Sequence, residues 1–334
     1  MGGYRVKFFE IEDYKNKLSA ISIFIGGRGI GKTYSAFSYV LEIETDAPFI
    51  YMRNTEVQLN ECCGAFGNPF KRWAKDHNRN IYMTKEKNHA VIYEEVSEEV
   101  KPIGYGVALS TFENLRGVDL SDVKYVIFDE FCERRRYSFD QFKSFQYFYE
   151  TVNRNRELFG EDPLICILLS NAQKLDNPIL AGYNCISLIE GMIKRGDKQF
   201  RKKGMFLCLP TSEISELKKM TENYDLIKGT KVADEALDNK FAYDSFYGVV
   251  KRPLKEYVGL CMIDDIYIYR HKHNQKLYAC RSQCTNIITF DSKNSRSLFL
   301  RTFGRKMDIA CANGTLEFSD FETKAKMYEI LMIN

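Results

Sequence analysis

Apolar and polar residues follow two patterns that alternate along the first two thirds of the chain. Short continuous apolar runs are typical of strands buried on both faces of a sheet, whereas apolar residues three and four positions apart predict helices. The runs that predict strands are Ile21–Ile25, Phe49–Met52, Ala90–Tyr93, Val107–Ser110, Tyr125–Phe128 and Leu164–Ser170. The stretches that predict helices are Tyr34–Leu41, Pro69–Asn78 and Phe139–Asn155. This alternation predicts an α/β sheet that binds its ligand at the carboxyl ends of the strands.

The pattern changes after residue 207. Thr211–Ile227 predicts one amphipathic helix, and residues 228–245 are polar and irregular. The elements predicted after them are strands at Phe246–Val250, Tyr257–Ile263, Ile266–Arg270, Leu277–Arg281 and Ile287–Phe290, and helices at Ser295–Ala312 and Phe321–Ile333. We therefore expect a first domain of residues 1–207, a helical linker of residues 208–232 and a smaller α/β domain of residues 233–334.

The composition of the chain excludes several classes of protein. Its 334 residues are 45% hydrophobic and 14% aromatic, which excludes a disordered chain. No apolar run reaches the roughly 20 residues of a membrane span, and the N-terminus lacks the apolar region of a signal peptide, so we expect no membrane partner. The 10 cysteines have no regular spacing and are interpreted as reduced thiols of a cytosolic protein. A net charge of +3 does not by itself predict a nucleic-acid partner.

The loop after the first predicted strand matches the phosphate-binding motif G-x-x-x-x-G-K-[ST] at every position. Its residues are Gly26, Gly27, Arg28, Gly29, Ile30, Gly31, Lys32 and Thr33. The glycines allow main-chain N–H groups to face phosphate oxygens, and the helix that follows adds a partial positive charge. Lys32 is predicted to contact the β- and γ-phosphates and Thr33 to bind Mg²⁺. The loop therefore predicts ATP and Mg²⁺ as ligands.

An apolar strand ends in two adjacent acids, Asp129 and Glu130. Asp129 is predicted to hold Mg²⁺ through a water molecule, and Glu130 to polarise the water that attacks the phosphate. A glutamate directly after the aspartate favours an additional-strand ATPase over a small-molecule kinase. Asn171 ends the next predicted strand and would sense the γ-phosphate and orient the water, although asparagine is also a common turn residue.

Several arginines are predicted at the same edge of the sheet. Arg154, at the end of a predicted helix, is the first candidate for an arginine finger that acts on the nucleotide of a neighbouring subunit, and Arg156 is the second. An arginine at this place also complements the helix dipole. Arg53 and Arg116 are further candidates to contact nucleotide or DNA phosphate in trans.

Over most of its length the chain resembles the DNA-packaging ATPases of φ29-type small tailed phages. The segments that carry the resemblance are FIGGRGIGKTYSAFSYV, FIYMRNTEVQL, YVIFDEF, ETVNRNRE, LLSNAQKLDNP, DEALDNKFAYDS and LRTFGRKMDIACANGTLEF, in this order. The resemblance implies an α/β fold in which a P-loop additional-strand (ASCE) ATPase domain precedes a smaller C-terminal RNase H-like α/β domain. It also implies ATP-driven translocation of double-stranded DNA into a prohead.

The resemblance further implies a set of partners and a location. The partners are further copies of the chain in a ring, expected to be a pentamer, double-stranded DNA, the portal or connector, and a packaging RNA as an additional candidate. The location is the host cytoplasm, with transient attachment to the prohead portal. By position, Arg154 is the finger, Arg116 falls where the family has a lysine that acts in trans, and Glu56 falls where it has another lysine.

The C-terminal region contains acids that raise the question of nuclease activity. Cleavage by two metal ions needs several carboxylates that converge. The candidates Asp264, Asp265, Asp291, Asp320 and Glu322 do not fall on matching strand faces. We therefore expect a non-catalytic domain that binds DNA phosphates. The candidate phosphate contacts are Lys251, Arg252, Arg270, Lys272 and Lys276.

Other functions fit the same phosphate-binding loop. One alternative is an FtsK/HerA-like DNA pump or helicase, and another is a P-loop phage assembly factor. A nucleotide kinase is a third. DNA stimulation of ATP turnover separates a motor from an assembly factor or a kinase, and strand unwinding separates a helicase from a pump.

Overall fold

The computed structural model describes residues 7–332, except residues 46, 65, 88, 116–117, 133–138, 172–174, 176, 219 and 228–247. The chain divides into two compact units. The first unit contains Met1–Gly182 and Met192–Ala242, and the second contains Tyr183–Gly191 and Tyr243–Asn334.

A nine-stranded sheet forms the centre of the first unit. Its strands are β1 Ile21–Gly26, β2 Phe49–Arg53, β3 Asn80–Lys85, β4 Ala90–Val96, β5 Glu99–Ala108, β6 Tyr125–Asp129, β7 Ile165–Asn171, β8 Gln199–Lys202 and β9 Met205–Cys208, in the spatial order β3-β4-β5-β2-β6-β7-β1-β9-β8. The six strands from β5 to β9 in this order are parallel to one another. At one edge β4 is antiparallel to β5 and β3 is antiparallel to β4, and at the other edge β8 is antiparallel to β9.

Helices follow most of these strands. They are α1 Lys32–Ser38, α2 Glu56–Cys62, α3 Lys71–Asp76, α4 Gln141–Asn153, α5 Pro178–Gly182, α6 Ile186–Arg195, α7 Glu213–Lys218 and α8 Glu222–Ile227. The last turn of the first helix widens into a π-helix at Tyr39–Ile43. Among the described residues, no helix has the length and apolarity needed to cross a membrane.

The strand order places one strand between the phosphate-binding loop and the acidic pair. β7 lies between β1 and β6 and pairs in parallel with both. On one side of β7, Gly26 of β1 pairs with Asn171. On the other side of β7, Asp129 of β6 pairs with Leu169. This inserted strand defines the additional-strand P-loop ATPase fold. Its parallel strands bring the predicted loop, acids and asparagine to one edge of the sheet.

The core of the first unit is rich in aromatic side chains. Phe24, Phe37, Tyr51, Phe70 and Trp73 are buried together between the sheet and its helices. Burying a large apolar side chain stabilises a fold by roughly 1.5–3 kcal/mol. These residues therefore hold β1, β2 and α1 against one another, and the phosphate-binding loop connects β1 to α1.

The second unit contains a five-stranded mixed sheet. Its strands are β10 Tyr257–Ile263, β11 Ile266–His271, β12 Leu277–Cys280, β13 Ile288–Phe290 and β14 Leu316–Phe318, and its helices are α9 Arg296–Phe299, α10 Arg305–Ala312 and α11 Phe321–Leu331. β10, β11 and β12 are antiparallel, β13 is parallel to β10, and β14 is parallel to β12. The antiparallel strands β10, β11 and β12, with β13 parallel to β10, form the arrangement of an RNase H-like sheet. β14 pairs with β12 and forms the edge strand on the side opposite β13.

Several predicted elements differ from the observed ones. Thr211–Ile227 was predicted as one helix and is two, because the Thr221 hydroxyl and main-chain N–H both donate to the Lys218 carbonyl, at 2.8 and 3.1 Å. A threonine side chain that competes for a helical carbonyl in this way interrupts the helix. Of the predicted strand Phe246–Val250, the described part makes one bridge, from Val249 to Phe318.

Four strands were missing from the prediction, namely β3, β8, β9 and β14. β3 is an edge strand in which buried and exposed positions alternate, and β8 is largely exposed. β9 and β14 are short buried runs that are identified only by their pairing with distant strands, β1 and β12. The strand predicted at Val107–Ser110 begins at Glu99 instead, and Leu109–Leu115 forms a 3₁₀-helix.

Candidate active site

The phosphate-binding loop joins the end of β1 to the start of α1. Gly31 precedes the helix with φ of 98°, and Gly29 has φ of 70°. Both values lie in the left-handed region, which glycine adopts without strain. At Gly31, a side chain would also meet the Phe8 ring at 3.2 Å. The sequence motif therefore has the glycines that this loop conformation requires.

Lys32 lies within the loop and is buried. Its ammonium donates to the carbonyl oxygens of Gly26 and Gly27, at 3.1 and 2.8 Å, and to Asn171 Oδ1 at 3.1 Å. Burial lowers the pKa of Lys32 to about 8, although the negative charge of Asp129 opposes this shift. The structure thus brings Lys32 and Asn171 together, as the order of the strands requires.

Thr33 and Asp129 lie in direct contact. The Thr33 hydroxyl donates to Asp129 Oδ1 and the Tyr51 hydroxyl to Asp129 Oδ2, each at 3.1 Å. Burial raises the pKa of Asp129, and the nearby Arg53 guanidinium opposes this shift. A hydroxyl beside a carboxylate is the oxygen ligand set that Mg²⁺ takes in nucleotide sites. The residues therefore fit the magnesium ion that the motif predicts.

Glu130 follows Asp129 in the left-handed conformation, with φ of 52°. Asn54 Nδ2 donates to the Glu130 carbonyl at 2.9 Å and holds this backbone in place. Arg53 Nη2 donates to Glu130 Oε2 at 2.7 Å, and Arg53 Nη1 lies 3.6 Å from Asp129 Oδ2. Arg53, a candidate for contact with nucleotide or DNA, is therefore placed as a shared cation for the two acids.

A buried polar network lies beside the main chain that follows Glu130, and no sequence pattern predicted it. Gln141 Nε2 donates to Asn54 Oδ1 at 2.5 Å and to the Phe131 carbonyl at 2.7 Å. Asn177 Nδ2 donates to Gln141 Oε1 at 2.8 Å. Because Asn54, Gln141 and Asn177 are buried and connected through Gln141, they hold the main chain at Phe131, directly after Glu130.

The two finger candidates have different surroundings. Arg154 ends α4 with φ of 47°, and its side chain is 52% exposed beside Asp119, at 3.1 Å. Arg156 is buried and donates to the Ser121 carbonyl at 2.7 Å. The Arg156 guanidinium thus serves the packing of this chain, whereas Arg154 is accessible to a second chain. Arg116 lies outside the described residues.

A further lysine contacts the loop, and no sequence motif pointed to it. Lys218, the last residue of α7, donates from Nζ to the Arg28 carbonyl at 2.5 Å. The Arg28 side chain itself is exposed. Glu56, where the resemblance implies a lysine in the family, accepts from Lys85 Nζ at 2.8 Å.

The acids of the second unit are paired with cations of the same unit. Lys326 Nζ lies 3.4 Å from Asp264 Oδ2 and 2.6 Å from Asp265 Oδ1. Arg281 bridges Asp265 and Glu322, at 3.1 and 2.8 Å. In the described part of the chain, no three His, Cys, Asp or Glu side chains form a group that could hold a metal ion.

The remaining two acids have local structural roles. Asp320 accepts from the Thr323 main-chain N–H at 2.8 Å and caps α11. Asp291 accepts from the main-chain N–H groups of Lys293 and Asn294, at 2.7 and 3.0 Å, in a turn. Both carboxylates are therefore engaged in local hydrogen bonds of the backbone.

The candidate DNA contacts of the second unit fall into two groups. Arg252 and Lys276 both donate to Glu317, at 2.7, 2.8 and 2.9 Å. Lys272 donates to the Lys255 carbonyl at 2.6 Å and, like Lys251 and Arg270, is exposed. The exposed lysines and Arg270 are accessible to a phosphate backbone, whereas Arg252 and Lys276 are held by Glu317.

Known proteins share both sequence and fold with the chain. The DNA packaging protein of Bacillus phage B103 is 27% identical over 239 residues, which are 70% of this chain and 67% of that protein. The DNA packaging proteins of the Bacillus phages PZA and phi29 are each 26% identical over 239 residues, 70% of this chain and 65% of each relative. The chain thus aligns with about two thirds of the length of these relatives.

Two solved structures match nearly the whole chain. A chain of the bacteriophage Phi-29 viral genome packaging motor assembly has a TM-score of 0.64 and 20% identity, with 97% of this chain and 98% of that chain covered. A chain of the Phi-28 gp11 DNA packaging motor has a TM-score of 0.61 and 17% identity, with 98% of each chain covered. At these identities the matches show a shared fold, and the predicted fold class is confirmed.

The family comparison covers both units. A family model described as Podovirus DNA encapsidation protein (Gp16) matches residues 6–331. This match confirms the resemblance that the motifs predicted. The chain therefore belongs to the Podovirus DNA encapsidation protein family.

Proposed function

We propose that the chain is the ATP-hydrolysing subunit of a motor that moves double-stranded DNA into a prohead. The observation that carries the proposal is that five predicted residues lie together at one edge of the sheet. Thr33 contacts Asp129, Glu130 follows on the same strand end, and Lys32 contacts Asn171. The family and the relatives, described as DNA packaging proteins, supply the context of packaging.

Each residue has a distinct task in ATP hydrolysis. The loop from Gly26 to Thr33 would hold the phosphates, and Thr33 and Asp129 would hold Mg²⁺, which supplies positive charge to the phosphate oxygens. Glu130 would accept a proton from the attacking water and Asn171 would orient that water. Arg53 holds the Glu130 carboxylate at 2.7 Å and keeps it in a defined position.

The surroundings of Arg154 support a finger that acts in trans. Leu158 and Phe159, close after it in the chain, are 82% and 77% exposed, and Tyr147 on α4 is also exposed. Large apolar side chains exposed next to one another mark interaction surfaces. We therefore place the neighbouring subunit on this surface, in a homo-oligomeric ring for which a pentamer is the expected size.

The remaining partners follow from the same proposal. One solved match is a packaging motor assembly, which supports attachment of the ring to a prohead portal in the host cytoplasm. A packaging RNA is an additional candidate partner. In the second unit the exposed Lys251, Arg270 and Lys272 would contact DNA phosphates without reading sequence, so binding should weaken steeply with salt.

The direct test is magnesium-dependent ATP turnover by the purified chain, with and without duplex DNA. We expect duplex DNA to stimulate turnover and Lys32→Ala to abolish it, because the ammonium no longer meets the phosphates. Lys202→Ala, on the exposed strand β8, is the matched control and should behave like the parent. Turnover that is absent with and without DNA, or that survives Lys32→Ala, would contradict the proposal.

The assignment of Arg154 is tested by mixing Arg154→Ala with wild-type subunits. A finger that acts in trans predicts that the variant loses about 10³-fold in turnover and inhibits wild-type neighbours in mixed rings. Turnover that falls only in proportion to the fraction of variant would show that Arg154 does not act on its neighbour.

The alternatives give different results in the same assays. A helicase would unwind the duplex, whereas a packaging motor should leave it intact. An assembly factor would show no stimulation by DNA. A kinase would transfer phosphate to a small acceptor rather than to water.

A further inference from the structure

The phosphate-binding loop is enclosed by two segments that lie far from it in sequence. On one side, Phe8 packs against Gly31 and the Phe9 main-chain N–H donates to the Ile30 carbonyl at 3.1 Å. On the other side lies the end of α7, which carries Lys218. The two segments contact each other, since the Ser212 hydroxyl donates to the Lys7 carbonyl at 3.3 Å. The phosphate-binding loop, the N-terminal segment and the segment that contains α7 are therefore all in contact with one another.

Lys218 lies against the first half of the loop. Its ammonium donates to the Arg28 carbonyl at 2.5 Å, and a side chain at Gly29 would come within 2.5 Å of the same Nζ atom. An ammonium has three donors, and among the described residues Lys218 uses one of them, on Arg28. The other two donors are available to an anion held over the loop.

The charges around the loop favour such an anion. Burial lowers the pKa of Lys218, and the Lys218 charge also contributes to the lowered pKa of Lys32. Two ammonium groups held near one another in a partly buried loop are unfavourable unless a polyanion lies between them. A triphosphate supplies that negative charge.

The position of Lys218 indicates which phosphate it meets. In loops of this type the motif lysine reaches the β- and γ-phosphates, and here Lys32 is directed to the carbonyls of Gly26 and Gly27. The first half of the loop therefore faces the terminal end of the triphosphate. Arg28 and Gly29, which Lys218 contacts, belong to that half.

We propose that Lys218 binds the γ-phosphate of the nucleotide held by the loop of the same chain, and so distinguishes ATP from ADP. The inference rests on the nucleotide site of the proposed function. Because Lys218 is the last residue of α7, the helix is held against the loop differently in the two nucleotide states. Residues beyond α7 and α8 lead along the chain to the second unit.

The test is equilibrium binding of Mg²⁺-ADP and of a non-hydrolysable Mg²⁺-ATP analogue, without DNA and without turnover. We expect Lys218→Ala to weaken binding of the analogue by about 10- to 100-fold, the effect of losing one charge-assisted hydrogen bond, and to leave ADP binding within about threefold of wild type. Lys218→Arg should keep most of the preference for the analogue, and Lys202→Ala on β8 should bind both nucleotides like wild type. Hydrogen exchange in α7 should slow more with the analogue than with ADP, and this difference should vanish in Lys218→Ala.

Two results would overturn the proposal. One is an equal loss of affinity for both nucleotides, and the other is no loss for either. Lys218→Gln, which removes the charge but retains an N–H donor, provides the same comparison if Lys218→Ala unfolds. A wild-type chain that binds the analogue but lacks DNA-stimulated turnover would refute the packaging function and leave the role of Lys218 standing.

Discussion

In each unit of the chain two adjacent acids lie at the end of a strand, and the two pairs of acids have different neighbours. Asp129 ends β6 and Glu130 follows it, whereas Asp264 and Asp265 both follow β10, with φ of 52° at Glu130 and at Asp264. Around the first pair, hydroxyl groups and one arginine approach the carboxylates. Around the second pair, Lys326 lies against both carboxylates.

The difference bears on which acidic pair can bind a metal ion. Two hydroxyl groups donate to Asp129, and the Arg53 guanidinium lies nearer to Glu130, at 2.7 Å, than to Asp129, at 3.6 Å. The negative charge of Asp129 is therefore only partly compensated, and a metal ion is still favourable there. An ammonium that touches both acids already neutralises them, and a metal ion would have to displace it. The first pair therefore keeps the catalytic role that we propose for it, whereas the second pair forms an internal ion pair.

The largest expected effect is on ATP turnover, which should depend on the first pair of acids and not on the second. Glu130→Gln should lower ATP turnover by about 10²- to 10⁴-fold, because the attacking water loses its proton acceptor. The matched change Asp265→Asn should leave turnover within about twofold of wild type. The measurement is steady-state release of phosphate with saturating duplex DNA. A Glu130→Gln variant that retains most of its turnover would remove the distinction between the pairs.

An intermediate effect concerns stability. Arg53 is 14% exposed and lies between two acids, so Arg53→Ala removes the guanidinium that pairs with Asp129 and Glu130 and should lower the free energy of unfolding by about 3 kcal/mol. Arg281, at 41% exposure, is its counterpart in the second unit, and Arg281→Ala should lower it by at most about 1 kcal/mol. Urea denaturation of both variants measures the difference. Equal losses would show that burial does not set the strength of these ion pairs.

The smallest expected effect is a dependence on pH. Burial raises the pKa of Asp265, but Lys326 and Arg281 lower it by more, so its pKa lies below the usual value. The stability that this pairing provides is therefore present above about pH 4 and is lost as the pH falls through the lowered pKa.

The pairing is tested with Lys326→Ala. We expect its melting temperature to fall less between pH 5 and pH 2 than that of wild type, by an amount equivalent to at most about 1 kcal/mol. Lys293→Ala, a change of an exposed lysine in the same unit, should keep the wild-type dependence. A Lys326→Ala variant with an unchanged pH profile would show that the lysine does not hold the acids in the charged state.

The arrangement of the candidate site could be predicted from sequence because it depends on local motifs and on strand direction. The loop around Lys32, the acids Asp129 and Glu130, and Asn171 all lie at the ends of parallel strands, and parallel strands end at one edge. The contacts of Arg53 and Lys218 could not be predicted. Both contacts join residues far apart in the chain, 77 positions from Arg53 to Glu130 and 190 from Lys218 to Arg28.

The same limit applies to the fold. Buried continuous runs such as Ile21–Ile25 identified most of the central strands, since such runs are typical of a parallel sheet. β9 and β14 are equally buried but short, and only their pairing with β1 and β12 distinguishes them from loops. At the break between α7 and α8 the Thr221 hydroxyl donates to the Lys218 carbonyl, a contact that sequence periodicity does not register.

The anchoring of Arg156 has a consequence for how quickly a finger can engage. Its bond to the Ser121 carbonyl fixes the backbone two residues after Arg154, and Arg154 and Asn155 are both held in the left-handed conformation. In the finger role that we propose for Arg154, engagement would require the ordering of one side chain, an entropic penalty of about 2 kcal/mol, and no refolding of the loop. The response to nucleotide binding by a neighbouring subunit would then occur on the nanosecond scale of side-chain rotation.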